Sequence, residues 1–257
     1  MKKVETAGNR APSTCDVTLV IPQRNHVALT LDCIASICNT DPTPWPILVV
    51  DDASDDEERR RLDHADATNR WAVETARHTE HRGVAAAWNT GASRAPTPYV
   101  VWLNNDVVAD GPWVEQLVGP LRSRALEIVG VAWRTEGAVD RRLLTAHGGG
   151  RFLQGWCFAA SKRTWEKLGG FDERMAVYWS DTDFFIRARR AGLRLGAVDR
   201  LPLRHLGHRT AHDGSCLPDR NVRWRRDRAA FLQKLTATTD GASNIRAGSP
   251  SDPAFNV

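Results

Sequence analysis

Nowhere in its 257 residues does the chain carry an apolar run near the roughly 20 residues a membrane-crossing helix needs. The sequence therefore reads as having no transmembrane segment. The opening stretch, MKKVETAGNRAPST, has lysines but no hydrophobic segment behind them, so it does not read as a secretory signal. Cysteine is sparse and odd in number: Cys15, Cys33, Cys38, Cys157 and Cys216, with no CxxC pair. That spacing argues against a structural zinc site and predicts reduced thiols in a cytoplasmic protein. Lysine is scarcer still. Only 5 of the 35 basic residues are lysine.

What is present is a normal globular composition. Hydrophobic residues make up 42% and charged residues 26% of the chain, enough for one large core and too apolar for a disordered chain. The arginine excess has two readings, a GC-rich coding sequence or a surface that grips phosphates bidentately. Its position is informative. Residues 204–228 hold seven arginines against three aspartates, a local net of +4, and the rest of the chain balances at 28 against 28. A basic patch of that kind says more about partners than a uniform bias does.

The order of predicted elements is α/β. Short apolar runs at 17–21, 46–50, 71–76 and 99–103 read as buried strands. Helical spacing or charge patterning fills 27–37, 55–67 and 83–95 between them. This alternation predicts a Rossmann-like, mostly parallel central sheet with helices on both faces, and ligands beyond the carboxyl ends of its strands. After residue 110 the pattern is mixed. Helices are expected at 112–124, 161–168, 181–191 and 219–235, and strands at 127–133, 143–146, 152–160 and 193–198. Residues 1–15 read as a flexible leader and 240–257 as a flexible tail. Between them, 16–239 reads as a single domain with a nucleotide-binding half (16–110) and an acceptor half (111–239) that ends in a basic helix.

Acidic residues follow strands or open helices at three places: Asp51/Asp52, Asp106 and Asp181/Asp183. A carboxylate at the end of a buried strand is poorly solvated unless it binds something. In an α/β sheet three such places converge on one crevice. Asn104-Asn105-Asp106 reads either as an Asn/Asp turn or as part of a site for a hard divalent cation, which takes oxygen ligands and retains water and substrate phosphates. His205 and His208 are the candidate second ligands.

Several segments in order resemble glycosyltransferase family 2, an enzyme family with the GT-A fold. Val17–Pro22 resembles its opening strand. Val49-Val50-Asp51-Asp52-Ala53-Ser54 resembles its VDDxS segment, and residues 81–91, HRGVAAAWNTG, resemble its N-x-G-x-x-x-A-x-N-x-G segment. Leu103-Asn104-Asn105-Asp106 stands at the DXD position. Gly169-Gly170-Phe171-Asp172-Glu173 resembles GGFDE. Residues 178–192, with Asp181, Asp183 and Arg187, resemble ED-x-D-x-x-x-R-x-x-x-x-G. The likeness covers roughly residues 16–210.

The resemblance implies roles. Pro22, Arg24, Asp51 or Asp52, Arg82, Gly83, Asn89, Asn104 and Asn105 would bind a nucleotide-sugar donor, with UDP-sugars as the family default. Asp106, with His205 or His208, would hold Mg²⁺ or Mn²⁺ at the diphosphate. Asp181 would be the general base of an inverting transfer, and Asp183 a supporting or helix-capping acid. Three positions depart from the pattern. Asn104 removes one charge from DXD, Ser180 replaces the usual Glu before the base, and Gln23-Arg24-Asn25 replaces the usual base contacts after Pro22.

For the acceptor side, Trp156 and Trp179 read either as core residues or as faces on which a sugar or base stacks. Arg223, Arg225 and Arg226, beside Trp224, read either as a solvated helix face or as a grip on phosphates. The leading expectation is a metal-dependent hexosyltransferase acting on a hydroxyl of a glycan, a lipid-linked carrier or a small molecule. The same chemistry on hydroxymethylated DNA, as in viral-type DNA glucosyltransferases, is the alternative. A non-catalytic sugar-nucleotide or nucleic-acid binder is the second alternative.

Overall fold

The computed structural model describes residues 15–67, 73–134, 151–207 and 220–240. Its strands are β1 (Val17–Gln23), β2 (Ile47–Asp51), β3 (Val73–Arg77), β4 (Tyr99–Leu103), β5 (Val107–Ala109), β6 (Ile128–Gly130), β7 (Trp133–Arg134), β8 (Phe152–Leu153), β9 (Cys157–Ser161), β10 (Leu195–Ala197) and β11 (Leu203–His205). Its helices are α1 (Val27–Thr40), α2 (Asp56–Ala67), α3 (Val84–Arg94), α4 (Val114–Arg122), α5 (Lys162–Lys167), α6 (Ser180–Arg190) and α7 (Arg220–Asp240).

Seven strands form the central sheet in the order β10-β6-β9-β4-β1-β2-β3. All neighbours are parallel except β9, which runs antiparallel to both β4 and β6. The expected mostly parallel α/β sheet is therefore present. Alternate residues of each strand face opposite layers. Val20, Leu48, Val50, Val100, Trp102 and Phe158 pack with α3, α6 and α7. Leu19, Ile21, Ile47, Val49, Val101 and Leu103 pack with α1 and α4. Both faces are covered by helices, so the central strands read as nearly unbroken apolar runs.

The acceptor half differs from expectation in detail. The run 127–133 is two strands, because β6 joins the central sheet while β7 pairs with β8 in a ribbon of its own. The run 152–160 is also two strands, separated by a turn at 154–156. A second ribbon, β5 with β11, was not anticipated, since each strand has only three residues. The predicted strand at 143–146 lies outside the described residues. So do the leader up to residue 14 and the tail from 241 onward. Cys15, Cys33, Cys38 and Cys157 are free thiols. Among the described residues no helix is long and apolar enough to cross a membrane.

Candidate active site

The carboxyl ends of β1, β2 and β4 open onto a cavity of about 380 Å³. Pro22, Gln23 and Arg24 reach it from β1, Asp52 from β2, and Asn104, Asn105 and Asp106 from β4. A further wall comes from Gln154–Trp156 and from Val177–Asp181. The reversal of β9 brings that wall to the site. Leu103 pairs with Cys157, so the turn before β9 lies beside the segment that follows β4. The ladder extends one step further, with Asn104 N donating to Trp156 O at 2.8 Å.

Asp106 is 4% exposed and its Oδ1 lies 3.1 Å from His205 Nε2. The short β5–β11 ribbon makes that pair, since His205 stands opposite Val107 and Leu206 N donates to Asp106 O. The Trp156 indole is stacked on the His205 ring, with centroids 5.0 Å apart and planes 9° apart. Among the described residues no group of three or more His, Cys, Asp and Glu side chains could hold a metal. Asp106 and His205 are a pair of adjacent oxygen and nitrogen donors, short of that number. His208 lies outside the described residues.

Asp181 sits in the first turn of α6 and lines the same cavity. Its Oδ1 accepts the Thr182 amide at 2.7 Å. Trp179, the residue before α6, holds a left-handed backbone at φ 70°, a conformation that costs energy for a side chain of this size. Its ring is stacked on Phe231 of α7 at 5.0 Å. Asp227 of α7, 2% exposed, accepts the Val177 and Tyr178 amides at 2.9 Å each. One buried carboxylate therefore fixes the backbone of the loop that carries Tyr178 and Trp179 to the cavity.

The two adjacent acids after β2 have different tasks. Asp51 is fully buried. Its carboxylate bonds to Ser54 and to Arg77 Nε at 2.9 Å, and it does not line the cavity. From Ser54 the network continues through Gln23 and Thr30 to Asn105 Nδ2, tying the ends of β2, β1 and β4 together. Asp52 faces the cavity and accepts four bonds: His78 Nδ1 and His81 Nδ1 at 2.7 Å, and the Arg82 and Gly83 amides at 2.9 and 2.7 Å. Burial pushes its pKa up, but the bonds from His81, His78, Arg82 N and Gly83 N outweigh burial and bring it down to about 2. Gly83 has φ +94°, and a Cβ there would lie 2.4 Å from Ala176 O. This close approach, with Ala85 N donating to Ala176 O, joins the start of α3 to the loop before α6.

Other expected site residues lie outside the cavity lining. Arg82 pairs with Glu173 at 2.8 Å. Asn89 holds the GGFDE segment, accepting Phe171 N and donating to Phe171 O. Asp183 bonds Arg187 at 2.7 Å and Lys234 at 2.9 Å, locking α6 to α7. Arg223 reaches the rim, with Nη1 3.3 Å from His81 Nε2. Arg225 and Arg226 are exposed on α7. Conversely His81, Gln154, Gly155, Tyr178 and Trp88 line the cavity without having been singled out as ligands. His81 lay beside Arg82 in the matched segment, but nothing in its spacing marked the Asp52 contact.

The comparisons with known proteins agree with this architecture. The sequence pattern described as "Glycosyl transferase family 2" matches residues 18–194. The chain belongs to glycosyl transferase family 2. A curated relative, the pre-mycofactocin glycosyltransferase of Mycobacterium tuberculosis, is 32% identical over 114 residues, which is 42% of this chain and 21% of the relative. The match thus spans about a fifth of the length of that relative. Among solved structures, the mannosyltransferase PcManGT from Pyrobaculum calidifontis, in complex with GDP-Man and Mn²⁺, superposes with a TM-score of 0.59 at 21% identity. The match covers 90% of this chain and 66% of that one. GalNAc-T7 with UDP, GalNAc and Mn²⁺ gives a TM-score of 0.59 at 15% identity, covering 72% of this chain and 43% of that one. At these identities the neighbours establish the fold, which is GT-A.

Proposed function

We propose that this family 2 chain transfers a sugar, with inversion, from a nucleotide-diphosphate donor to an acceptor hydroxyl, with Asp181 as the general base. The observation that carries the reading is that Asp106, His205 and Asp181 line one cavity at the carboxyl ends of the parallel strands. The donor's nucleoside lies along Pro22, Arg24, Asp52, Asn104 and Asn105. The diphosphate lies toward Asp106 and His205. A UDP-sugar is the first donor to try. GDP-Man, held by the archaeal neighbour, is the second.

Mg²⁺ or Mn²⁺ fits the Asp106–His205 pair, and when bound it would stabilise charge on the departing diphosphate. The chain's own residues do the rest. The wall formed by 154–156 and 177–181 carries a single carboxylate, Asp181, which supports one direct displacement without a covalent intermediate. The acceptor oxygen attacks the anomeric carbon as the bond to the diphosphate breaks, and Asp181 takes the hydroxyl proton. Asp52 holds His81 and the 82–83 backbone in place at the nucleoside end. Asp183 is a positioning acid that fixes the start of α6. The two halves of the chain divide the work accordingly, 16–110 holding the donor and 111–239 the acceptor, except that His205 serves the donor's diphosphate. Free thiols fit a reducing, cytoplasmic setting.

The test is a panel of UDP- and GDP-sugars scored by nucleoside-diphosphate release with and without Mn²⁺. Metal-dependent release from one donor supports the reading. No release and no donor binding across the panel overturns it.

A further inference from the structure

Three large apolar side chains are exposed among the described residues: Leu206 at 39%, Val222 at 62% and Trp224 at 39%. Such residues need no explanation when they are scattered singly, but these are not scattered. Val222 and Trp224 stand two residues apart in the first turns of α7. Leu206 directly follows His205, which lines the cavity. Trp224 lies against Trp179, another lining residue, with ring centroids 5.9 Å apart. Leu206 and Trp224 therefore both border the cavity.

The charge beside them is of one sign. Residues 220–228 hold five arginines and a single acid, Asp227. That acid is buried with its carboxylate on the Val177 and Tyr178 amides, so it offers nothing to the surface. Arg225 and Arg226 are exposed and form no ion pair with another described residue. Arg228 lies over the Trp224 ring at 5.6 Å. From 221 to 226 every residue is exposed or half-buried. Val222 and Trp224 point to opposite sides of the helix, about 200° apart, yet both meet solvent. This end of α7 thus stands clear of the body and presents cations and apolar groups together.

Exposed arginine mixed with exposed valine, leucine and tryptophan matches an anionic lipid surface. The cations meet headgroup phosphates, and the apolar groups enter the boundary between headgroups and acyl chains, where tryptophan and arginine are both favoured. A phosphodiester chain would use the arginines and could stack on Trp224, but it has no use for Val222, the most exposed of the three. We propose that the first turns of α7, together with Leu206, dock this chain on the surface of an anionic membrane, beside the mouth of the cavity. Among the described residues no helix is long and apolar enough to span the bilayer, so these residues hold the chain at the surface, reversibly.

The experiment is co-sedimentation of the whole chain, without donor or acceptor, so that its outcome is independent of sugar transfer. Vesicles of phosphatidylcholine are set against vesicles of equimolar phosphatidylcholine and phosphatidylglycerol. The anionic vesicles should bind at least about 10-fold more tightly than the neutral ones. Changing Arg225→Gln and Arg226→Gln together should weaken that binding about 10- to 30-fold. Val222→Ser, at a site exposed enough to leave the fold intact, should weaken it about 3-fold. A labelled DNA duplex at the same salt and sedimentation velocity of the chain alone are the other arms. No vesicle binding, or equal binding to both vesicle types, overturns the docking surface. Unchanged vesicle binding in Val222→Ser does so too, since it would leave only a grip on phosphate. Duplex DNA bound more tightly than the anionic vesicles, or self-association that Val222→Ser abolishes, would assign this end of α7 to another partner and overturn the membrane.

Discussion

Gly155 lies against the carboxylate of Asp181: a Cβ built on that glycine would stand 2.1 Å from Oδ2 and 2.9 Å from Cγ. Real atoms do not approach so closely, so any other residue at 155 moves the carboxylate. The turn between β8 and β9 therefore contains a glycine to make room for a side chain on α6, not to allow a turn conformation. Gly155→Ala is expected to lower transfer at least about 10-fold while costing no more than about 1–3 kcal/mol of stability. Steady-state rates beside a urea titration check this. Full activity in the variant would remove Asp181 from its proposed place.

The Asp106–His205 pair makes a second prediction. With one carboxylate and one imidazole, cation binding depends on phosphate from the donor. Chelation should abolish turnover, and His205→Ala should weaken Mn²⁺-dependent donor binding about 10- to 100-fold. Calorimetry with and without Mn²⁺ reads both. Donor affinity indifferent to metal in wild type and variant alike would remove the cation from the site.

Asp52 makes a prediction about pH. Its folded pKa, about 2, lies below the ordinary 3.8. A depressed carboxyl stabilises the fold above its unfolded pKa, and the contribution is lost as pH falls through the folded value. Wild type should exceed Asp52→Asn by about 2 kcal/mol at pH 7, and the gap should close between about pH 4 and pH 2. Urea midpoints at several pH values measure it. A gap that stayed constant down to pH 2 would mean that the four bonds do not favour the ionised form.

Asp227 lies 49 and 50 residues from the amides it accepts. Asp227→Ala leaves two part-buried N–H groups without their carboxylate partner and should cost about 1–3 kcal/mol. Because those amides carry the 177–178 loop, acceptor KM should rise while donor affinity stays near wild type. Equal losses in both would show that α7 supports the whole fold and not that wall.

Much of the architecture was legible in the chain. Strands such as 99–103 are buried on both faces, so their apolar runs stand out between polar turns. The short elements were not legible. A three-residue strand like Leu203–His205 has no periodicity, and only its partner, about 95 residues earlier, makes it a strand. The resemblance makes Asp181 the expected base and Asp183 a supporting or helix-capping acid, but spacing alone does not show where each points. On a helix, two residues apart means about 200° of rotation, so one faces the cavity and the other meets Lys234. Asn89 shows the opposite difficulty. Its motif suggested a ligand contact, and its side chain instead pins Phe171. Contacts such as Asp52 with His78, or Asp227 with Tyr178, leave no trace in spacing, because they depend on how loops are brought together by the sheet.

The central claim is that one cavity holds the leaving diphosphate at Asp106 and the proton acceptor at Asp181. The most direct measurement pairs Asp181→Asn with Asp106→Asn and determines, for each, donor affinity by calorimetry and single-turnover transfer. The account predicts that Asp181→Asn binds donor within about 2-fold of wild type and loses transfer by about 10²–10⁴, whereas Asp106→Asn loses metal-dependent donor binding itself. Transfer at the wild-type rate in Asp181→Asn, or donor binding unaffected in Asp106→Asn, would contradict it.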